Sequence, residues 1–433
     1  MKKKKKILRR LCGALLSLSL LGTAGCGQDA PQPLYADTEE PLQTADLRET
    51  EAVTGLLTDA VNRFGFSFFE KLDGEQNQFF SPYSISAALS ILNLGAGGLA
   101  REEIETVLGI TDPEEWNGQM KLFMEKDWPQ GTKLLTANSL WIAPYLNRAA
   151  NIETDFLAPA LFYYQAEMFE ADFAENGKQV AQEISAWVKK NTDGLIPDYQ
   201  TISDAATVMT ILNAVYFAGK WEQPFQGEDT KSDGRFKDAD GNVQRDIPIM
   251  YQYGVRLRYI ETDAFKGVEL PYKDSTMAMD ILLPAVDASI LGVSNYRSLS
   301  MEEQEALWKS FDQADFQKID TLGLPAFTMD ITVSGMKEIL EDMGIRDVFR
   351  EDTDLDKIGE DTFVSGITHR AKIEVDEEGT RAAAVTEIAT KDGASMPAPD
   401  TVTFVADRPF VYVIRDTGTG MILFMGQVVR MEK

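Results

Sequence analysis

From Glu51 onward the chain alternates between two kinds of apolar spacing. Val53, Leu57, Val61, Phe64, Phe68 and Leu72 recur every three to four residues, the period of an amphipathic helix. Ser81-Pro82 is a helix-start signal, a capping hydroxyl followed by proline in the first turn, and Ile85, Ala88, Leu89 and Leu92 form the apolar stripe behind it. Gly95, Gly97 and Gly98 stop that helix. Val180, Ile184, Trp187 and Val188 predict another, ending near Asn191 and Gly194, and a third long helix is expected over Gly335 to Met343. Thr207 to Phe217 is a continuous, largely apolar run, as a strand covered on both faces would be. His369, Ala371, Ile373 and Val375 alternate with Arg370, Lys372 and Glu374, a half-buried period of two. Phe410–Ile414 and Ile422–Val429 flank Thr417-Gly418-Thr419-Gly420 and read as a hairpin. No repeat and no Pro/Gly-rich linker follows residue 50. With helices gathered early and strands late, these elements predict one large α+β body over residues 51–433.

The first fifty residues obey different rules. Lys2 to Lys6 with Arg9 and Arg10 precede the short apolar run Leu11 to Leu21 and then Thr23-Ala24-Gly25-Cys26. That order predicts a secretory signal over residues 1–25, too short for a comfortable membrane span. Small residues just before a cysteine resemble the bacterial lipobox, which makes Cys26 the candidate lipidation site. Thr23 departs from the leucine usual at its place, and ordinary cleavage after Ala24 or Gly25, leaving a free thiol, is the alternative. Lipidation at Cys26 would hold the protein on the outer face of a bacterial envelope. Residues 26–50, proline-bearing and acidic with little apolar periodicity, read as a disordered tether. The only other cysteine, Cys12, lies in the removed part, so the mature chain would have neither a disulfide nor a catalytic thiol.

Composition narrows the function by exclusion. The 433 residues carry a formal charge of −27, and losing residues 1–25, with seven basic and no acidic side chains, would move it to −34. Such a surface argues against nucleic acid as partner, since phosphate contacts need clustered Lys and Arg. The single histidine, His369, leaves no histidine-rich metal site, and neither metal nor cofactor is expected. No Gly-x-Ser-x-Gly elbow is present, and mid-strand His369 shares the apolar parity of Ala371, Ile373 and Val375, which marks a buried core histidine rather than a base. Gly95-Ala96-Gly97-Gly98 follows a helix, the reverse of a phosphate loop. Asp238-Ala239-Asp240-Gly241-Asn242 lacks the closing acid of a calcium loop and reads as a hairpin turn. An enzyme is not expected.

Four stretches, in order, carry a family resemblance across Ala52 to Met431: Phe79-Phe80-Ser81-Pro82-Tyr83-Ser84-Ile85 with Leu94-Gly95-Ala96; Asn213 to Trp221 continuing to Pro224-Phe225; His369 through Glu377-Glu378-Gly379-Thr380-Arg381-Ala382-Ala383-Ala384; and Ala406-Asp407-Arg408-Pro409-Phe410 with Ile422 to Gly426. Together they resemble the serpins, inhibitors of serine proteases. The resemblance implies a serpin-like α+β fold with a large antiparallel central sheet, two smaller sheets, about eight or nine helices and an exposed reactive-centre loop. It makes Ser81, Ser84, Asn213 and His369 the shutter, and Trp221 and Glu377 the breach, where the loop first enters the sheet. It also implies a monomer, a covalent acyl-enzyme with a serine protease, and a metastable native state.

The hinge is Glu377, Gly379, Thr380, Ala382, Ala383 and Ala384, with Gly379 expected to supply backbone freedom. Thr380, Ala382, Ala384, Thr386 and Ile388 share one strand parity and are small or apolar; the charges of Arg381 and Glu387 fall on the other. Taken alone, the run better fits an alanine-rich flexible loop or a short helix. Beside the serpin-like flanks it reads as a strand able to insert with one face buried. Non-inhibitory serpins often carry bulky or charged residues there. Counting seventeen residues from Glu377, the spacing the resemblance implies, lands on Gly393, with Gly393-Ala394 as the reactive bond and an elastase-like or subtilisin-like target. The stretch from Ala394 to Pro409 is longer than the family norm, which keeps Lys391, for a trypsin-like target, and Met396, for an elastase-like or chymotrypsin-like one, as alternatives. A non-inhibitory serpin acting as a binding module and a solute-binding lipoprotein are the rival readings.

Overall fold

The computed structural model describes residues 33–34, 50, 52–129, 131–143, 154–196, 206–285, 293–359, 362–380 and 402–432. The chain divides into two units, Met1–Pro31 and Gln32–Lys433, and all described residues lie in the second. Nine α-helices occur among them: α1 Gly55–Lys71, α2 Pro82–Gly95, α3 Gly98–Leu108, α4 Pro113–Met124, α5 Thr154–Tyr164, α6 Phe173–Asn191, α7 Val293–Arg297, α8 Met301–Lys309 and α9 Met336–Met343. The strands are β1 Gln78–Phe80, β2 Thr132–Ile142, β3 Glu167–Glu170, β4 Met209–Lys220, β5 Lys231–Lys237, β6 Val243–Glu261, β7 Phe265–Pro271 and β8 Met277–Pro284. They continue with β9 Phe316–Pro325, β10 Phe327–Thr332, β11 Gly366–Val375, β12 Gly379–Thr380, β13 Val402–Val405, β14 Phe410–Asp416 and β15 Met421–Val428.

The stripe Leu57, Val61, Phe64, Phe68 and Leu72 is buried, as its period requires. Helix α2 begins where Ser81-Pro82 predicts, with the Ser81 hydroxyl accepting from the Ser84 N–H at 3.1 Å. Its burial, however, runs round the whole helix: Ser84, Ser86 and Ser90 are as enclosed as Ile85, because α2 lies inside the layers rather than on top of them. Helix α9 is shorter than expected, eight residues, since Gly335 is its left-handed cap at φ 69° and Gly344 ends it. The order of elements is also less segregated than the sequence suggests, with β2 preceding α5 and both α8 and α9 falling among late strands.

Six strands form the central sheet in the order β10-β11-β12-β4-β2-β3. Most neighbours are antiparallel, but β11 pairs with β4, and β2 with β3, in parallel. Strand β4 is covered on both sides: Ile211, Val215 and Phe217 join the main core, while Leu212 and Ala214 face a second cluster under α6 with Trp141, Phe169, Ile184 and Trp187. That double cover explains its unbroken apolar run. The two smaller sheets implied by the resemblance are joined through the 19-residue β6 into one nine-stranded path, β1-β15-β14-β8-β7-β6-β9-β13, with β5 also on β6. Asp238–Asn242 is the tight connection between β5 and β6, with Gly241 at φ 84°. Within the stretch read as a tether, the Leu34 N–H donates to the Met168 carbonyl at 2.8 Å, and Thr50 occupies the space a Cβ on Gly118 would need.

Strands β7, β8 and β14 are tied by one buried cation. Arg415 donates to Asp280 at 2.5 Å, Asp312 at 2.6 Å and Glu269 at 2.9 Å. Burial holds the Asp280 carboxyl above its ordinary range in spite of Arg415 beside it. Arg415→Leu leaves Asp280 buried without its counter-charge and Glu269 with Arg258 alone, a change that costs about 3–5 kcal/mol. Thermal unfolding is expected to show a lowered midpoint at pH 8 and a smaller deficit at pH 5, where the bared carboxylates take up protons. An equal deficit at both values would assign the loss to packing instead.

Candidate functional site

The site is built where β11 and β4 stop pairing. The two strands run parallel and in register from Gly366–Thr210 to Lys372–Tyr216. Beyond that point they part, and β12 takes the space between them, with Thr380 opposite Val375 on one side and Gly219 on the other. It is antiparallel to both. A chain that leaves the end of β11 and reverses meets two parallel neighbours, so one direction of travel satisfies the ladder on both sides.

The hinge residues Gly379 and Thr380 are the whole of β12, and both are buried. Gly379 is needed for space, a requirement the sequence did not show. Its backbone does not enter the left-handed region, but a Cβ there would run into the Gly219 carbonyl and lie 2.8 Å from Lys220 Cα. The Thr380 hydroxyl, fully enclosed, shares a 2.6 Å hydrogen bond with the Tyr272 hydroxyl. Trp221 stacks on the same tyrosine, with ring centroids 4.8 Å apart, and donates its indole N–H to the Asp376 carbonyl at 3.0 Å. The carboxylate of Glu377 accepts from the Thr230 hydroxyl at 2.7 Å. Trp221 and Glu377 are thus brought to one end of the slot. Ala382, Ala383, Ala384, Lys391, Gly393, Ala394, Met396 and Cys26 lie outside the described residues.

Lower in the sheet, Ser81, Ser84, Asn213 and His369 converge. His369 Nε2 accepts from the Ser81 N–H at 3.0 Å, and Nδ1 lies 2.8 Å from Asn213 Oδ1. An accepting Nε2 places the proton on Nδ1, which therefore donates to the amide. The Asn213 side-chain amide donates to the Ser84 carbonyl at 3.0 Å and to Asn138 Oδ1 at 2.8 Å. Burial pushes the imidazole down from 6.5 to about 3, so it is neutral in this network. Asn138, Tyr272 and Thr230 were not singled out by sequence. Asn138 carried one signal, a lone amide in the strand Thr132–Ile142, and the register sets it opposite Asn213.

The family model described as Serpin (serine protease inhibitor) matches residues 59–431. The chain belongs to the serpin family. It is 32% identical over 380 residues to an uncharacterized serpin-like protein of Thermococcus kodakarensis, spanning 86% of this chain and 85% of that one. It is 29% identical to the leukocyte elastase inhibitor of Sus scrofa, spanning 86% of this chain and 98% of the relative. Among solved structures, the thermophilic serpin tengpin in its native state superposes with a TM-score of 0.76 at 27% identity, covering 89% of this chain and 98% of tengpin. The fold is the serpin fold, and serpins are generally inhibitors of serine proteases rather than proteases. Among the described residues of this serpin no group of three His, Cys, Asp or Glu side chains could hold a metal ion.

The histidine sets a pH dependence. Its folded-state value lies below the unfolded one, so the unfolded chain binds the extra proton between pH 6.5 and 3. Stability from this group is complete above 6.5 and falls with acidification, by about 2 kcal/mol at pH 5. Thermal loss of the native state should therefore shift down between pH 7 and 5 more in the wild type than in His369→Gln. Parallel shifts in the two proteins would remove His369 as the sensor.

Proposed function

We propose that this serpin inhibits serine proteases as a suicide substrate, trapping them through insertion of its loop into the central sheet. The observation that carries the reading is the slot between β11 and β4, whose first rungs are already occupied by Gly379 and Thr380. Continuing that strand buries Ala382, Ala384, Thr386 and Ile388 on the side of Thr380 and turns Arg381 and Glu387 outward. The protease serine adds to the carbonyl of Gly393, the amine of Ala394 leaves, and an acyl ester remains. Insertion of Thr380 to Gly393 at roughly 3.3 Å per residue then carries the ester by about 45 Å, distorting the protease before water can attack. The energy for this is stored in a kinetically held native state.

Small residues at Gly393-Ala394 favour an elastase-like or subtilisin-like target. A relative named for its action on leukocyte elastase is consistent with that choice. The signal over residues 1–25 and lipidation of Cys26 would place the monomeric inhibitor on the outer face of a bacterial envelope. One observation favours the second reading, a serpin that serves as a binding module: a cavity of about 300 Å³ lined by Asp59, Asn62, Phe66, Trp308, Lys309 and Arg415.

Incubation of the chain from residue 51 on with pancreatic and neutrophil elastases, subtilisin, trypsin and chymotrypsin separates these readings. The expected result is a denaturant-stable band larger by one protease, with a new N-terminus at Ala394. Loop cleavage with no such band across the panel would favour the binding module. Thr380→Arg places an unpaired charge against Tyr272, where burial costs several kcal/mol, and should leave cleavage intact while abolishing the trapped band.

A further inference from the structure

Between β11 and β12 the chain reverses over Asp376–Gly379, and the contacts holding this reversal are of two kinds. Its carbonyls are held from outside: the Trp221 indole N–H reaches the Asp376 oxygen at 3.0 Å, the Phe225 N–H that of Glu377 at 2.8 Å, and the Trp221 N–H that of Glu378 at 2.9 Å. Its shape is set from within. The Asp376 carboxylate accepts from the N–H groups of both Glu378, at 2.9 Å, and Gly379, at 3.1 Å, while the Asp376 N–H donates to the Gly379 carbonyl at 2.9 Å. An aspartate bonded forward to its own chain two and three residues on is a turn with a defined residue count.

Turn length determines register in the strand that follows. Here it sets Thr380 opposite Val375 and turns its hydroxyl to Tyr272. A slip of one residue would put Arg381 in that enclosed place and reverse every position after it, burying Glu387 and exposing Ala382 and Ala384. The outer contacts cannot prevent such a slip alone: backbone carbonyls are offered by every residue, and the Glu377 carboxylate, bonded to the Thr230 hydroxyl at 2.7 Å, fixes the entry to the turn but not the number of residues from there to Thr380. A carboxylate at one position is specific to one register.

We propose that Asp376 is a positioning residue for loop insertion, its carboxylate fixing the reversal from which the inserted strand grows. The proposal rests on the reading of this serpin as an inserting inhibitor and extends it to the residue that decides which face of the loop is buried. Asp376→Ala removes only the carboxylate, since Trp221 bonds to the main-chain oxygen, and Asp376→Asn keeps an acceptor at the same place.

The test uses the uncut full chain as wild type, Asp376→Ala and Asp376→Asn. Amide hydrogen exchange at Glu378, Gly379 and Thr380 should quicken about tenfold in the alanine variant and stay within about threefold of wild type in the asparagine variant. With a protease the wild type traps, the ratio of cleaved to trapped serpin should rise about tenfold in Asp376→Ala while the rate of loop cleavage is unchanged, and asparagine should restore it. Unchanged exchange in Asp376→Ala, or an unchanged ratio, overturns the proposal. Should the wild type trap nothing, the rise in thermal midpoint after tryptic loop cleavage reads insertion directly. A wild type stabilised by cleavage defeats only the inhibitor reading, and Asp376→Ala must then show a smaller rise. A wild type not stabilised defeats insertion and this proposal together.

Discussion

The hydrogen bond between the His369 imidazole and the Asn213 amide crosses from β11 to β4 at the level where those residues are register partners. It is a buried side-chain link across the seam in the central sheet that must open if a strand is to enter. Its placement makes it sensitive to everything around it. A neutral imidazole accepts from the start of α2 and donates to Asn213, which in turn bonds Ser84 and Asn138. These four bonds together join three strands and an almost wholly enclosed helix. Buried polar groups of this kind stabilise when every partner is present and cost most when one is lost. The seam is held by groups that cannot be exchanged one at a time.

Above the network the same two strands separate, and the contrast between the two levels is physical. Below, strand-to-strand hydrogen bonds and the His369 cluster close the sheet. Above, Gly379 lets its backbone approach that of β4, Gly219 leaves room for the Tyr272 and Phe217 rings, and Tyr272 presents a hydroxyl to Thr380. The upper level thus accepts a third strand while the lower excludes it. At the upper level β12 makes ladder hydrogen bonds to both neighbours, and at the lower level β11 and β4 make theirs to each other.

Several elements were legible in the sequence because one local rule governed each. Helices α1 and α6 follow the 3.6-residue period, β11 follows the period of two, and the β14–β15 hairpin is marked by its Thr-Gly turn. The parity argument for Thr380 likewise needs no coordinates beyond the direction of one strand. Where one local rule did not suffice, the reading fell short. The burial of Ser84, Ser86 and Ser90 depends on layers supplied by distant segments. The room that Gly379 makes for the Gly219 carbonyl went unread because a glycine gives the same signal whether it is chosen for rotation or for room. Asn138, Thr230 and Tyr272 are ordinary residues in their own strands and loops, and acquire partners only when residues 75, 147 and 108 positions away are brought beside them.

By itself the sequence determined the class of fold, the family through four ordered stretches, and the burial of the lone histidine. These follow from periodicity and side-chain type, which are properties of neighbours along the chain. Tertiary structure alone decided that β11 and β4 are parallel partners, that they part above Lys372 and Tyr216, and that Gly379 and Thr380 already lie between them. Strand pairing is settled by which distant segments share a core, and no residue carries that information in its own spacing.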